Sequence, residues 1–141
     1  DKVFAINLDA SMIICRKFIR GMVKNKWGRI VNISSVVAST GNPGQSNYVA
    51  AKSALNGLTK SLALEVATRG VTVNSISPGF IDTAMTAKLT DDQKRKITEK
   101  IPMGKMGTGE DISSLVSFLV SNEAGYITGQ NIHVNGGLFL T

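Results

Sequence analysis

Arg29-Ile-Val-Asn-Ile-Ser34 and Val71-Thr-Val-Asn-Ser-Ile76 are two short, β-branched stretches that each predict a strand. Between them, residues 46–68 are rich in Ala, Leu and Lys, which favours a long helix, and Gly70 is placed to end it. Strands separated by a helix pair in parallel, because the helix returns the chain to the same end of the sheet. These stretches therefore predict an α/β fold with a parallel sheet.

Further elements are predicted on both sides of this unit. Residues 3–23 place apolar side chains at helical spacing. Thr90 and Thr108 each open a capping-box pattern, so two more helices are expected, the first ending before Pro102. Ile132-His-Val134 predicts a final short strand. The order helix, strand, helix, strand, helices, strand indicates a doubly wound (Rossmann-type) parallel sheet.

The predicted sheet lacks the element that usually opens a dinucleotide-binding fold. Such folds begin with a strand, a glycine-rich turn and a helix that hold the pyrophosphate. The nearest glycine cluster, Gly104-Lys-Met-Gly-Thr-Gly109, follows a proline and a polar helix, so we interpret it as a connector. We therefore expect residues 1–141 to be the C-terminal half only of one such domain, with the phosphate-binding half absent.

Composition narrows the class of protein. The chain has 141 residues, 43% of them apolar and 18% charged, which is typical of one globular domain. No apolar run approaches the roughly 18 residues of a membrane span, so we expect a cytoplasmic protein without membrane contact. The net charge of +6 suggests an anionic partner. Nucleic acid is disfavoured, because no aromatic interleaving or Cys/His zinc spacing accompanies the basic residues, and no metal site is predicted. The lone Cys15 is expected in the core.

Tyr48 and Lys52 are the first candidates for chemistry. Four residues apart on a predicted helix, they share one face, although such a spacing arises by chance in about one such chain in seven. An ammonium favours the ionised phenol, which would let Tyr48 exchange a proton near neutral pH. Of the serines that end the first strand, we favour Ser35 as the donor to a substrate carbonyl. Asn7, inside an apolar helical face, either anchors a water or ties a helix irregularity.

These four residues match the signature of a known family. Asn7, Ser35, Tyr48 and Lys52 resemble the Asn-Ser-Tyr-Lys tetrad of the short-chain dehydrogenase/reductases. The similarity extends over the whole chain and is strongest in residues 32–48, 77–83 and 126–137. Those segments resemble the bacterial branch of the family that reduces 3-oxoacyl-[acyl-carrier-protein] thioesters in fatty acid biosynthesis.

The resemblance implies a reaction and a role for each member of the tetrad. The reaction would be NADPH-dependent reduction of a 3-oxoacyl thioester to its 3-hydroxyacyl form. Tyr48 would give a proton to the carbonyl oxygen, which Ser35 orients, so both would bind substrate. Lys52 would assist Tyr48 and bind the nicotinamide ribose, and Asn7 would hold a water that links Lys52 to solvent.

Binding residues follow from the same resemblance. The turn that would bind the nicotinamide end of the cofactor contains Pro78, Gly79, Ile81 and Thr83. Lys26 and Arg69 match basic positions that would dock the acidic carrier protein, and the family implies a homotetramer. The alternative without a functional role is that Thr83, Ser34 and Asn74 are ordinary turn or strand-edge residues. We expect His133 to be a strand-surface residue without a catalytic role.

Two alternatives stay open on sequence grounds. The substrate could instead be acetoacetyl-CoA or another 3-oxo or hydroxysteroid compound. The chain could also be a non-catalytic fragment or scaffold subunit that keeps the interface helices. In either case we expect residues 1–141 alone to be inactive and to bind NADPH weakly or not at all.

Overall fold

The structure is a computed structural model that describes residues 1–141, and it contains a sheet of three parallel strands. The strands are β1 (Gly28–Ile33), β2 (Val71–Pro78) and β3 (Asn131–Val134), in the spatial order β1-β2-β3. The helices are α1 (Lys2–Phe4), α2 (Ala10–Asn25), α3 (Val37–Thr40), α4 (Ser46–Val66), α5 (Asp91–Glu99) and α6 (Gly109–Leu119). None of them combines the length and the apolar content that crossing a membrane requires.

Helices cover both faces of the sheet, which confirms the predicted doubly wound α/β class. On one face, α4 packs against β2 through the buried cluster Ala63, Val66, Val71 and Val73, and partly buried residues of α2 pack against the same cluster. On the other face, α6 packs through the cluster Ile76, Leu119 and Ala124. Because helices lie on both sides of β2, seven of its eight residues are buried.

Capping residues set the start of the two C-terminal helices, as the sequence predicts. Thr90 Oγ1 accepts the Gln93 N–H at 3.2 Å at the start of α5, and the Gln93 side chain accepts the Thr90 N–H in return. Thr108 and Asp111 form the same box at α6. Hydrogen bonds from Thr108 lower the pKa of Asp111 from its ordinary value. Both starts are therefore encoded locally.

The structure departs from the sequence prediction at three places. The helix predicted over residues 3–23 contains a π-helical segment at Ala5–Asp9, and a short helix that was not predicted, α3, follows Ser35. His133 lies on β3, as predicted, but it is half-buried and not fully at the surface. Its ring packs on Phe139 at a centroid distance of 4.9 Å and its Nδ1 is buried without a partner, whereas its Nε2 lies 3.5 Å from Ser39 Oγ in an exposed contact. The C-terminal segment, which brings Phe139 against β3, causes the partial burial.

Candidate active site

The candidate catalytic residues gather where β1 and β2 end. After β1, the Ser34 N–H donates to the Ile76 carbonyl at 2.7 Å and the Val36 N–H donates to the Pro78 carbonyl at 3.0 Å. These two bonds hold Ser35, whose Oγ accepts the Val37 N–H at 3.3 Å, beside the last residues of β2. The carboxyl ends of parallel strands are where open α/β sheets bind ligands.

Lys52 projects from α4 to the same end of the sheet. Its Nζ donates to the carbonyl of Ile33, the last residue of β1, at 2.8 Å. The side chain is buried, and burial lowers the pKa of Lys52 from its ordinary value of 10.5. The ion pairs of the chain involve Asp92 only, so no carboxylate pairs with Lys52. An ammonium bonded to a single carbonyl keeps further N–H donors for a ligand.

Tyr48 lies one turn before Lys52 on α4, as the spacing predicts. The Lys52 Nζ stands 5.7 Å from the centroid of the Tyr48 ring, within the range of a cation–π contact. Tyr48 itself is half-buried. Because the phenol is partly exposed, a bound molecule can contact it, whereas a fully buried phenol would be out of reach.

Two side-chain contacts that the sequence did not predict fix α4 on β1. Asn32 Nδ2 donates to Thr59 Oγ1 at 3.0 Å, and both residues are buried. Ser34 Oγ donates to the Lys52 carbonyl at 3.3 Å, so Ser34 is a structural tie and not an ordinary turn residue. Thr59 lies seven residues after Lys52 and therefore on nearly the same helix face. This spacing is the sequence feature that could have predicted its contact with β1.

Asn7 lies in the π-helical segment, which packs against α4. Its Nδ2 donates to the Val3 carbonyl at 2.9 Å. The side chain therefore ties a helix irregularity, one of the two sequence interpretations. Single π turns recur at functional sites because they displace a side chain from regular helical spacing. The bond uses one amide N–H and leaves the Oδ1 acceptor for a water, so the second interpretation stays a prediction.

The turn after β2 is held on two sides. The Gly79 N–H donates to the Val134 carbonyl at 2.9 Å. Ile81 forms a parallel bridge with Gly107: the Asp82 N–H donates to the Gly107 carbonyl at 2.8 Å, and the Gly107 N–H donates to the Phe80 carbonyl at 3.0 Å. Residues 104–109 are thus more than the connector that we predicted, because they pair with the turn.

Thr83 lies further from the strand ends and is exposed. Its N–H donates to Thr86 Oγ1 at 2.8 Å, and its carbonyl accepts from the same hydroxyl at 2.9 Å. Asn74, by contrast, is buried in β2, where its amide bonds the Ile127 carbonyl and the Gln130 N–H. The sequence offered Asn74 as an ordinary strand residue, and the structure gives it a core hydrogen-bonding role.

Lys26 and Arg69 lie together, but at the opposite end of the strands from Tyr48. Lys26 ends α2 in the left-handed conformation with φ 53°, and its carbonyl faces Gly70, the neighbour of Arg69. The Gly28 N–H donates to the Gly70 carbonyl at 3.2 Å, which joins the two segments where β1 and β2 begin. Both basic side chains are exposed.

Comparison with known protein families agrees with this fold and site. A family model described as enoyl-(acyl carrier protein) reductase matches residues 1–139. Together with close relatives that match along the whole chain, this defines the class. The chain belongs to the short-chain dehydrogenase/reductase family of oxidoreductases.

Three relatives illustrate how the similarity is distributed. The 3-oxoacyl-[acyl-carrier-protein] reductase of Rickettsia felis is 55% identical over 140 residues, which is 99% of this chain and 58% of that protein. The reductase of the same name from Haemophilus influenzae is 52% identical over 139 residues, 99% of this chain and 57% of that protein. Nodulation protein G of Rhizobium sp. (strain N33) is 53% identical over 138 residues, 98% of this chain and 56% of that protein. The chain therefore spans little more than half the length of these relatives.

Proposed function

We propose that residues 1–141 are the carbonyl-reducing portion of an NADPH-dependent 3-oxoacyl-[acyl-carrier-protein] reductase. The observation that carries the proposal is the position of Lys52, whose buried ammonium reaches the end of β1 beside Ser35 and one helical turn from Tyr48. The names of the relatives from Rickettsia felis and Haemophilus influenzae support the substrate class. In this proposal the enzyme is a cytoplasmic homotetramer.

The residues present fit a nicotinamide cofactor. Lys52 has N–H donors beyond the one used by the Ile33 carbonyl, and such donors suit the hydroxyls of a ribose. The turn Pro78–Ile81 presents backbone groups at the carboxyl end of β2, and Thr83 follows it with its hydroxyl exposed. When bound, the cofactor supplies the hydride that reduces the carbonyl carbon.

The chain's own residues handle the substrate oxygen and its proton. Ser35 Oγ donates a hydrogen bond to the carbonyl oxygen and so fixes its direction. Tyr48 gives its phenolic proton to that oxygen, and the adjacent Lys52 ammonium stabilises the phenolate that is left. Asn7 Oδ1 holds a water through which the proton on Lys52 exchanges with solvent.

The proposal also treats the chain as part of a larger unit. Both the outer edge of β1 and the apolar groove beside it lack a covering element, and Ile14 and Phe18 in that groove are each 57% exposed. A segment that supplies a phosphate-binding turn and a strand for this edge would complete both the sheet and the cofactor site. By themselves, residues 1–141 are expected to reduce no thioester.

Carrier-protein docking at Lys26 and Arg69 carries a geometric consequence. These residues lie where β1 and β2 begin, and Tyr48 lies where they end, so the thioester arm would span roughly 20 Å along one protomer. In the proposed tetramer, a docked carrier protein can instead serve the site of a neighbouring protomer. Lys26 and Arg69 would attract an acidic carrier protein equally well whether its thioester arm enters the site of the same protomer or that of a neighbouring one.

The test joins this chain to the part of the Rickettsia felis reductase that the match leaves uncovered. We expect the fusion to oxidise NADPH with an acetoacetyl thioester of acyl carrier protein. Tyr48→Phe should lower turnover by at least about 100-fold. Tyr126→Phe is the matched control, because Tyr126 is the only other tyrosine and is fully exposed. An active Tyr48→Phe fusion would refute the assignment of the proton donor.

Substrate choice separates the remaining alternatives in the same assay. Lys26→Glu with Arg69→Glu should raise KM for the carrier-protein thioester and leave KM for the CoA thioester unchanged. Equal turnover on both thioesters, unaffected by these changes, would favour an acetoacetyl-CoA reductase. A folded fusion that is inactive on carrier-protein, CoA, steroid and enoyl substrates would favour the scaffold alternative.

A further inference from the structure

Asn135 directly follows β3 and shapes the C-terminal turn with its side chain. Its Oδ1 accepts the Gly137 N–H at 2.9 Å, and its Nδ2 donates to the Phe139 carbonyl at 3.1 Å. An Asn oxygen bonded to the N–H two residues later forms an Asx turn. Both ends of the amide therefore hold residues 135–139 in one folded-back arrangement.

The turn formed by Asn135 supports Gly79 directly. The Gly79 N–H donates to the carbonyl of Val134, the residue before Asn135, at 2.9 Å. A Cβ placed on Gly79 would lie 2.7 Å from Asn135 Cβ and 2.9 Å from Asn135 Cα, closer than carbon atoms approach. Only glycine fits, and the hydrogen bond from Gly79 ties its backbone to the residue before Asn135.

A second loop fixes the other side of the same turn. The Met103 N–H donates to the Gly136 carbonyl at 3.0 Å. Gly137 has φ 88° and packs so closely on Pro102 that an added Cβ would lie 3.1 Å from Pro102 Cβ. The residues around Asn135 are thus held between Gly79 and the loop at Pro102.

We propose that Asn135 is a positioning residue for cofactor binding, acting through Gly79. The inference rests on the proposed function, because it requires the turn Pro78–Ile81 to receive the nicotinamide end of NADPH. Asn135 does not touch the reacting atoms. It keeps the Val134 carbonyl and the Gly79 N–H in register and thereby sets where the backbone groups of the turn point.

The experiment compares Asn135→Ala with Asn122→Ala. Asn122 is the control, because it is also an asparagine whose Oδ1 accepts a hydrogen bond, from Trp27 Nε1 at 3.1 Å, and it lies far from the turn. Hydrogen exchange of the Gly79 amide is measured on the 141-residue chain without cofactor. KM for NADPH and kcat are measured on the fusion that tests the proposed function.

We expect Asn135→Ala to speed exchange at Gly79 and to raise KM for NADPH about five- to ten-fold, as loss of one or two net hydrogen bonds implies. The kcat at saturating NADPH should change less than about two-fold, because the proton-transfer residues keep their contacts. Asn122→Ala should change neither quantity. Asn135→Asp keeps the acceptor for the Gly137 N–H and should restore part of the affinity.

The outcomes separate the two proposals. Unchanged exchange at Gly79 in Asn135→Ala overturns the structural coupling, whether or not the fusion is active. Faster exchange with an unchanged KM for NADPH overturns the role in cofactor binding. A fusion that never oxidises NADPH refutes the proposed function, and the exchange measurement on Gly79 still decides the coupling. If Asn135→Ala fails to fold, Asn135→Asp carries both measurements.

Discussion

Lys52→Met should abolish turnover while changing stability little. The substitution removes the hydrogen bond from Nζ to the Ile33 carbonyl, and bonds from charged donors contribute about 1.5–3 kcal/mol. It also removes the cost of burying an ammonium, the cost that lowers the pKa of Lys52. These effects oppose each other, so we expect the free energy of unfolding to change by less than about 2 kcal/mol near pH 7. Turnover of the fusion should fall at least about 100-fold.

Lys52→Met should also change how the stability of the chain depends on pH. Because burial lowers the pKa of Lys52 below 10.5, the unfolded chain holds that proton more tightly than the folded chain does. Between the lowered pKa and 10.5, the wild-type chain therefore gains stability as the pH rises. Lys52→Met lacks this gain, so its stability relative to wild type should fall as the pH approaches 10.5.

Urea unfolding followed by far-UV circular dichroism, at several pH values from about 7 to about 10, measures this difference. Lys60→Met is the matched control, because Lys60 is exposed on the same helix. If stability of the Lys52→Met chain had the same pH slope as that of wild type, burial would not disfavour the charged form of Lys52, and the reasoning would be refuted. A destabilisation above about 4 kcal/mol would mean that the Ile33 bond dominates.

Two further predictions concern the scaffold. Gly70→Ala should cost about 2 kcal/mol or more, because Gly70 has φ 69° and an added Cβ would lie 2.2 Å from the Lys26 carbonyl oxygen. Gly57→Ala, in open space on α4, should instead stabilise the chain by about 0.5–1 kcal/mol, and equal effects in urea unfolding would contradict both. Burial lowers the pKa of His133 below 6.5, so stability should fall as the pH drops from 6.5 through the lowered pKa. His133→Gln should lack this loss, and an identical acid profile in both proteins would count against it.

Elements encoded by local patterns were predictable from the sequence. β1, α4 and β2 follow from short β-branched runs around a helix-forming segment, and the structure agrees with them within a few residues. The starts of α5 and α6 follow from capping boxes whose partners are three residues apart. For the candidate site, the four-residue spacing between Tyr48 and Lys52 predicted their shared face.

Features that depend on distant partners were not predictable from one sequence. The π-helical segment around Asn7 has no local signal, because it depends on packing against α4. The partial burial of His133 requires Phe139 to return over β3. Gly107 and Asn135 support the turn after β2 through contacts with residues far away in the chain, so their own surroundings in sequence indicate only loops.

Different contacts support the two proposed tasks of the site, proton transfer and cofactor placement. In the proposed function, proton transfer depends on the position of Ser35 relative to α4, and the bonds from Asn32 to Thr59 and from Ser34 to Lys52 tie α4 to β1 and the residue after it. In the proposed function, cofactor placement depends on the turn after β2, where Val134 holds Gly79 and Gly107 pairs with Ile81. The contacts that hold Gly79 and Ile81 involve none of the residues in the two bonds that tie α4, although Lys52 would serve both tasks and the Val36 N–H bond to the Pro78 carbonyl links the two regions. Substitutions of the residues that support the turn should therefore change KM for NADPH and leave kcat nearly unchanged.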